Sequence, residues 1–256
     1  MTVIKDIRIA LTFLTVLPVG TPSGEDFVDR LSRAGLYFPV VGFVIGLIVA
    51  AMYRVFAFLP SAVVAWMLVL LSLFMSGGLH LDGLADTGDG LLAVADTQKR
   101  LEIMSDSRVG TFGLAAVVMI LAGLQLGYRE VMHLDNPATW VLLAPAVSRW
   151  GMLPPMLYFG SVRREKAGLA DSVTEGFSKY HLLGALVITV LPVWWLTRWP
   201  GVLFWGVTSA VAMAAGAWMN SKLGGLTGDT LGALQMISEL SFIFCAAFAP
   251  LVVGFV

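Results

Sequence analysis

Long apolar stretches broken by short polar segments make up most of the chain. They fall at 37–59, 61–80, 111–132, 138–159, 183–199, 201–219 and 238–256. Each is close to the roughly 20 residues that cross a hydrocarbon core. In lipid the backbone must pair its polar groups within the segment, so the pattern predicts helices. The expected fold is therefore all-α, a polytopic integral membrane protein with about seven transmembrane helices. The segment 183–199 contains Pro192 and is the least regular of them. Ahead of these spans, Lys5 and Arg8 precede a short apolar run, 9–17, that stops at Pro18. No small-residue cleavage site follows, so this run reads as an interfacial helix rather than a signal peptide. No repeat or low-complexity linker divides the chain, and 1–256 is expected to form a single membrane-embedded domain.

Composition supports lipid as the solvent. Of 256 residues, 58% are hydrophobic and 13% charged, against about 25% charged in soluble domains. A net charge of −1 gives no footprint for nucleic acid. The single cysteine, Cys245, excludes an intrachain disulfide and sits in an apolar stretch, as a small buried apolar residue would. With seven spans, twelve of the sixteen Lys and Arg fall on the side of the N-terminus, Arg163, Arg164 and Lys166 among them. Only Arg54, Arg129 and Arg198 fall on the other side, and Arg149 lies within a span. Positive residues accumulate in cytoplasmic loops, which predicts N-terminus inside and C-terminus outside. Most carboxylates gather on that same inner side.

The polar segment 77–91 carries the strongest chemical signal. Asp82, Asp86 and Asp89 recur at i, i+4 and i+7, one face of a helix. Bare carboxylates sharing a face repel unless a cation lies among them, and oxygen-only donors favour Mg²⁺ bridged to phosphate. A solvated loop would explain Asp and Gly, but a loop has no need of helical spacing. Gly83, Gly88 and Gly90 would let a ligand approach the backbone. His80 beside this face is either a proton-transfer group or an interfacial cap.

Two further segments add to it. In 104–113, Arg108 offers a fork suited to phosphate, with Ser105 and Asp106 nearby as anion contacts or helix caps. In 224–233, four glycines surround Thr227 and Asp229, which predicts a flexible polar loop able to reach a ligand. No lysine follows in the P-loop pattern. Asp229 is a candidate metal ligand or general base, and Glu239 stands near the start of an apolar span, where unpaired charge is costly. For Arg149, an ion pair with Glu239, an ion pair with a site carboxylate, and a substrate contact all remain open.

These three runs resemble the cobalamin synthase (adenosylcobinamide-GDP ribazoletransferase) family, as do the openings at 13–18 and 37–42. The resemblance covers nearly the whole chain with its blocks in order. It implies that the 3′-hydroxyl of α-ribazole, or of its 5′-phosphate, attacks the cobinamide-linked phosphorus of adenosylcobinamide-GDP with release of GMP. It also implies a Mg²⁺ requirement and a bacterial or archaeal cytoplasmic (inner) membrane location with the active site facing the cytosol. The family motif does not by itself assign roles; from the residues, Asp82 and Asp86 are expected to bind Mg²⁺ and Asp89 to complete or orient the shell. Ser105, Asp106, Arg108, Thr227 and Glu239 are expected substrate contacts, and Asp229 or His80 the base. A homo-oligomer is compatible with the sequence. A CDP-alcohol phosphotransferase would need Arg where Asp86 stands, and a prenyltransferase adjacent aspartates that the chain lacks. An ion-coupled transporter would place carboxylates near the bilayer midplane, whereas here they gather at one surface.

Overall fold

Proline and glycine punctuate the apolar runs where helices begin and end. The computed structural model describes residues 2–20, 24–162 and 169–250. Its helices are α1 (Thr2–Leu14), α2 (Gly24–Ala34), α3 (Phe38–Phe56), α4 (Ser61–Met75), α5 (Leu79–Leu92) and α6 (Thr97–Met104). They continue as α7 (Thr111–Val131), α8 (Pro137–Gly151), α9 (Leu153–Phe159), α10 (Leu169–Glu175), α11 (Lys179–Leu223) and α12 (Gly228–Ala247). Pro39, Pro137 and Pro154 stand in the first turns of α3, α8 and α9, where a missing N–H costs nothing. An isolated parallel bridge joins Ser161 to Leu226 and ties the end of α9 to the approach to α12.

Among the described residues, four stretches have the length and apolarity of a span: Arg30–Phe56, Thr111–Val131, Lys179–Leu223 and Gly228–Ala247. A fifth is the pair α4 and α5, bent by 91°. The expected seven is larger for two local reasons. At 15 residues each, α4 and α8 are only about 22 Å long at 1.5 Å per residue. Helix α11 covers two expected spans in 45 residues, broken at Arg198 with φ 57° and ψ −147°. The last expected span, 238–256, begins ten residues early as α12, and residues 251–256 lie outside the described residues. So do Arg163, Arg164 and Lys166.

Helix α12 runs through the centre of the bundle against α5, α7, α8 and α11. Helix α3 lies along α8, where Gly42 and Gly46 face the backbone of Leu142, Pro145 and Ala146. Small residues there allow the close helix approach on which packing in lipid depends. The outside is apolar: Leu47, Leu70, Phe74, Met119, Leu191 and Trp195 are all exposed, more than a soluble monomer tolerates. The protein is an all-α membrane protein.

One polar cluster interrupts the apolar interior. Tyr128 Oη donates to Glu239 Oε1 (2.8 Å), and Gln235 Nε2 and Ser148 Oγ donate to Glu239 Oε2 (2.7 and 3.3 Å). Arg149 Nη1 stands 4.0 Å from the same oxygen and donates to the Pro145 carbonyl (3.0 Å). Of the partners open to Arg149 from the sequence, Glu239 is the one found.

Candidate active site at a helix crossing

The turn from α4 to α5 depends on two glycines. Gly77 and Gly78 take φ of 61° and 77°, a left-handed conformation that costs other residues energy. Helix α5 leaves α4 at 91°. The expected helical face forms there. Asp82 is exposed, Asp86 and Asp89 are half-buried, and Gly83, Leu84, Thr87 and Gly88 turn inward.

The glycines of α5 serve neighbouring helices rather than a ligand. A Cβ at Gly83 would lie 2.7 Å from the Asp229 carbonyl oxygen, and one at Gly232 would lie 3.2 Å from His80 Cα. Helices α5 and α12 therefore cross almost backbone to backbone. Residues 228–233, expected as loop, are helical because Thr227 caps α12. Its Oγ1 accepts from Thr230 N (3.2 Å), and its N–H donates to Thr230 Oγ1 (2.7 Å). This cap fixes Asp229 in the first turn of α12, facing α5 across the crossing.

The electrostatics report that meeting of charges. Asp86 is half-buried and feels the charges of Asp229, Asp82 and Asp89. A divalent cation relieves such repulsion. Among the described residues no three His, Cys, Asp or Glu side chains stand close enough to enclose an ion unaided. The donor set fits Mg²⁺, which takes one or two carboxylates and fills its shell with water and phosphate oxygens. Asp82, Asp86 and Asp229 are the residues that could hold it. Asp89 also holds the scaffold together. Its carboxylate accepts from Gly110 N (2.6 Å) and Gly113 N (2.8 Å), capping α7 from a neighbouring helix.

Asp82 borders two cavities. One of about 620 Å³ opens between α5, α7 and the glycine turn, with Val109 at its edge. The other, about 220 Å³, is lined by His80, Asp82, Gly228 and Asp229 at one end and apolar side chains elsewhere. The structure thus brings His80, Asp82, Asp86 and Asp229 together. The 104–113 segment lies nearby, tied on by Asp89. There Arg108 pairs with Asp106 (2.6 Å) and is 88% exposed, and Ser105 Oγ donates to the Glu102 carbonyl. Thr227 Oγ1 accepts at the cap and donates to Asp229 Oδ2 (3.4 Å). Glu239 is 3% exposed and held by protein donors. Of the residues that wall the smaller cavity, Phe13 and Phe38 lie in the opening blocks of the family resemblance, whereas Met152 and Met156 had no signal in the sequence, because an apolar residue in an apolar helix carries no chemical mark.

The sequence profile of cobalamin-5-phosphate synthase matches residues 6–247. The chain belongs to that family. Similar proteins include an adenosylcobinamide-GDP ribazoletransferase of Desulfitobacterium hafniense, 34% identical over 94% of this chain and 96% of the relative. Another of the same name, from Geotalea daltonii, is 35% identical over 93% of each chain. No solved structure matches. The family match spans the α5 face, the 104–113 segment and the start of α12, so all parts of the crossing lie within it.

Proposed function

We propose that the chain joins α-ribazole, the ribonucleoside of dimethylbenzimidazole, or its 5′-phosphate, to adenosylcobinamide-GDP. The products are GMP and adenosylcobalamin or its 5′-phosphate. The observation that carries this reading is the α5–α12 crossing, where Asp82, Asp86 and Asp229 meet beside two cavities in a chain of this family.

Asp82 and Asp86 would hold Mg²⁺, and Asp89 orients the face by anchoring α5 to α7. Magnesium, when bound, neutralises charge on the diphosphate and on the departing nucleotide. Arg108 exchanges Asp106 for a phosphate, presenting its planar fork. Asp229 accepts the proton of the 3′-hydroxyl. The 3′-oxygen forms a bond to the cobinamide-linked phosphorus. The bond from that phosphorus to the bridging oxygen breaks, and its electron pair leaves with GMP. Glu239 acts from behind, as the counter-charge of Arg149 inside the bundle. The enzyme sits in the cytoplasmic membrane with this site facing the cytosol, as the distribution of Lys and Arg supports.

The test is GMP release by detergent-solubilised protein from adenosylcobinamide-GDP, with and without α-ribazole and Mg²⁺. Release that needs both is expected. No release with both present overturns the proposal, and a requirement for two sealed compartments would instead favour transport.

A further inference from the structure

Both cavities at Asp82 are largely apolar, but the smaller one adds His80 and Asp229 to Asp82 in its lining. We infer that the smaller cavity, between α1, α3, α5, α9, α10 and α12, seats the flat apolar base of the nucleoside acceptor, with its ribose turned toward Asp82 and Asp229. The inference rests on the ribazoletransferase reading and adds to it where the acceptor binds and what selects its base.

Size is the first argument. At about 220 Å³ the cavity falls below the roughly 300 Å³ at which pockets for drug-sized ligands begin. It admits one bicyclic ring system and excludes a corrinoid or a guanosine diphosphate. The neighbouring cavity of about 620 Å³, lined by Asp82 and otherwise by glycine, alanine, leucine and valine, has room for part of the larger donor. Asp82, bordering both, stands where acceptor and donor would meet.

Lining is the second argument. Leu14, Phe38, Met152, Met156 and Leu231 wall the smaller cavity, and each is buried. Phe13, stacked on Phe38 with ring centroids 6.0 Å apart, makes part of that wall rigid. Thioethers and aromatic rings suit a planar, methyl-bearing aromatic group. Guanine would leave several donors and acceptors unpaired against such walls, at a cost in binding.

His80 supplies the third. It lines the cavity, is 3% exposed, and its Nε2 has no hydrogen-bond partner among the described residues. A buried nitrogen of this kind is costly unless something meets it. A benzimidazole has one unsubstituted ring nitrogen once ribose is attached, a single acceptor for a single donor. An acyl chain would fill the apolar part and leave His80 unmet.

The experiment is steady-state kinetics of Met156→Trp and Met156→Ala in detergent, with both substrates varied and with nucleosides of benzimidazole and of dimethylbenzimidazole compared. Filling the cavity should raise KM for α-ribazole roughly tenfold or more, the scale of methylene-sized discrimination, with KM for adenosylcobinamide-GDP within twofold. The same variant should shift preference toward the smaller base, and Met156→Ala should shift it toward the larger, changes that misfolding cannot imitate. An unmoved KM for α-ribazole, or an unchanged base preference in both variants, overturns the assignment while wild-type turnover keeps the activity. A wild-type protein that makes no product removes the activity and this site with it.

Discussion

Gly83→Ala tests the helix crossing on which the site depends. A methyl at 83 would lie 2.7 Å from the Asp229 carbonyl oxygen and 2.9 Å from its Cα, where ordinary contact begins at 3.4 Å. The obstacle is backbone, so it cannot swing aside. Relief takes about 0.7 Å of separation between α5 and α12 (3.4 − 2.7). Overpacking of this kind costs about 1–3 kcal/mol of stability. Its effect on turnover should be larger than that cost implies, because it moves Asp229 away from Asp82 and Asp86. Misplacement by about 1 Å costs roughly 10²-fold, or about 2.7 kcal/mol of barrier. The assay is GMP release at saturating substrates, alongside the melting temperature in detergent. Gly206→Ala is the control: a Cβ there meets nothing within 4 Å, and losing a helical glycine should stabilise by roughly 0.5–1 kcal/mol. A Gly83→Ala enzyme that turns over within threefold of wild type would refute the claim that this crossing aligns the carboxylates.

Four other outcomes are expected. Asp82→Ala or Asp86→Ala should abolish turnover while the protein still inserts, and near-normal rates in both would remove the metal assignment. Arg108→Lys should lower kcat/KM by roughly 10²-fold, and an unchanged value would place the phosphate elsewhere. Glu239→Ala leaves Arg149 buried without its counter-charge and should cost about 3–5 kcal/mol of stability; an unaltered melting temperature would contradict the pairing. A cysteine introduced at Gln98, in α6, should react with an impermeant reagent only from the cytosolic side. Labelling of intact cells from outside would reverse the topology.

The α5 face shows what periodicity reveals. Asp82, Asp86 and Asp89 recur at helical spacing, and the helix Leu79–Leu92 carries them on one side as expected. The start of α12 shows where local reading failed. Four glycines near Thr227 and Asp229 suggested a flexible loop, yet Gly228 and Gly232 are helical, under a cap made by two threonine hydroxyls. Glycine disfavours a helix in isolation, but here the missing side chain is what lets α5 and α12 touch. The same holds for Asp89, whose partners Gly110 and Gly113 lie on another helix and leave no trace at its own position.

By itself the sequence determined the solvent, the helical class, the helical face of aspartates and the family resemblance, because composition, spacing and motif order are properties of the chain as written. Tertiary structure decided which helices meet. It placed Asp229 against the α5 aspartates, paired Glu239 with Arg149 inside the bundle, and enclosed an apolar cavity whose walls come from six helices. Those contacts join residues far apart in the chain, between apolar side chains that are interchangeable on paper, and only packing distinguishes the ones that line a site.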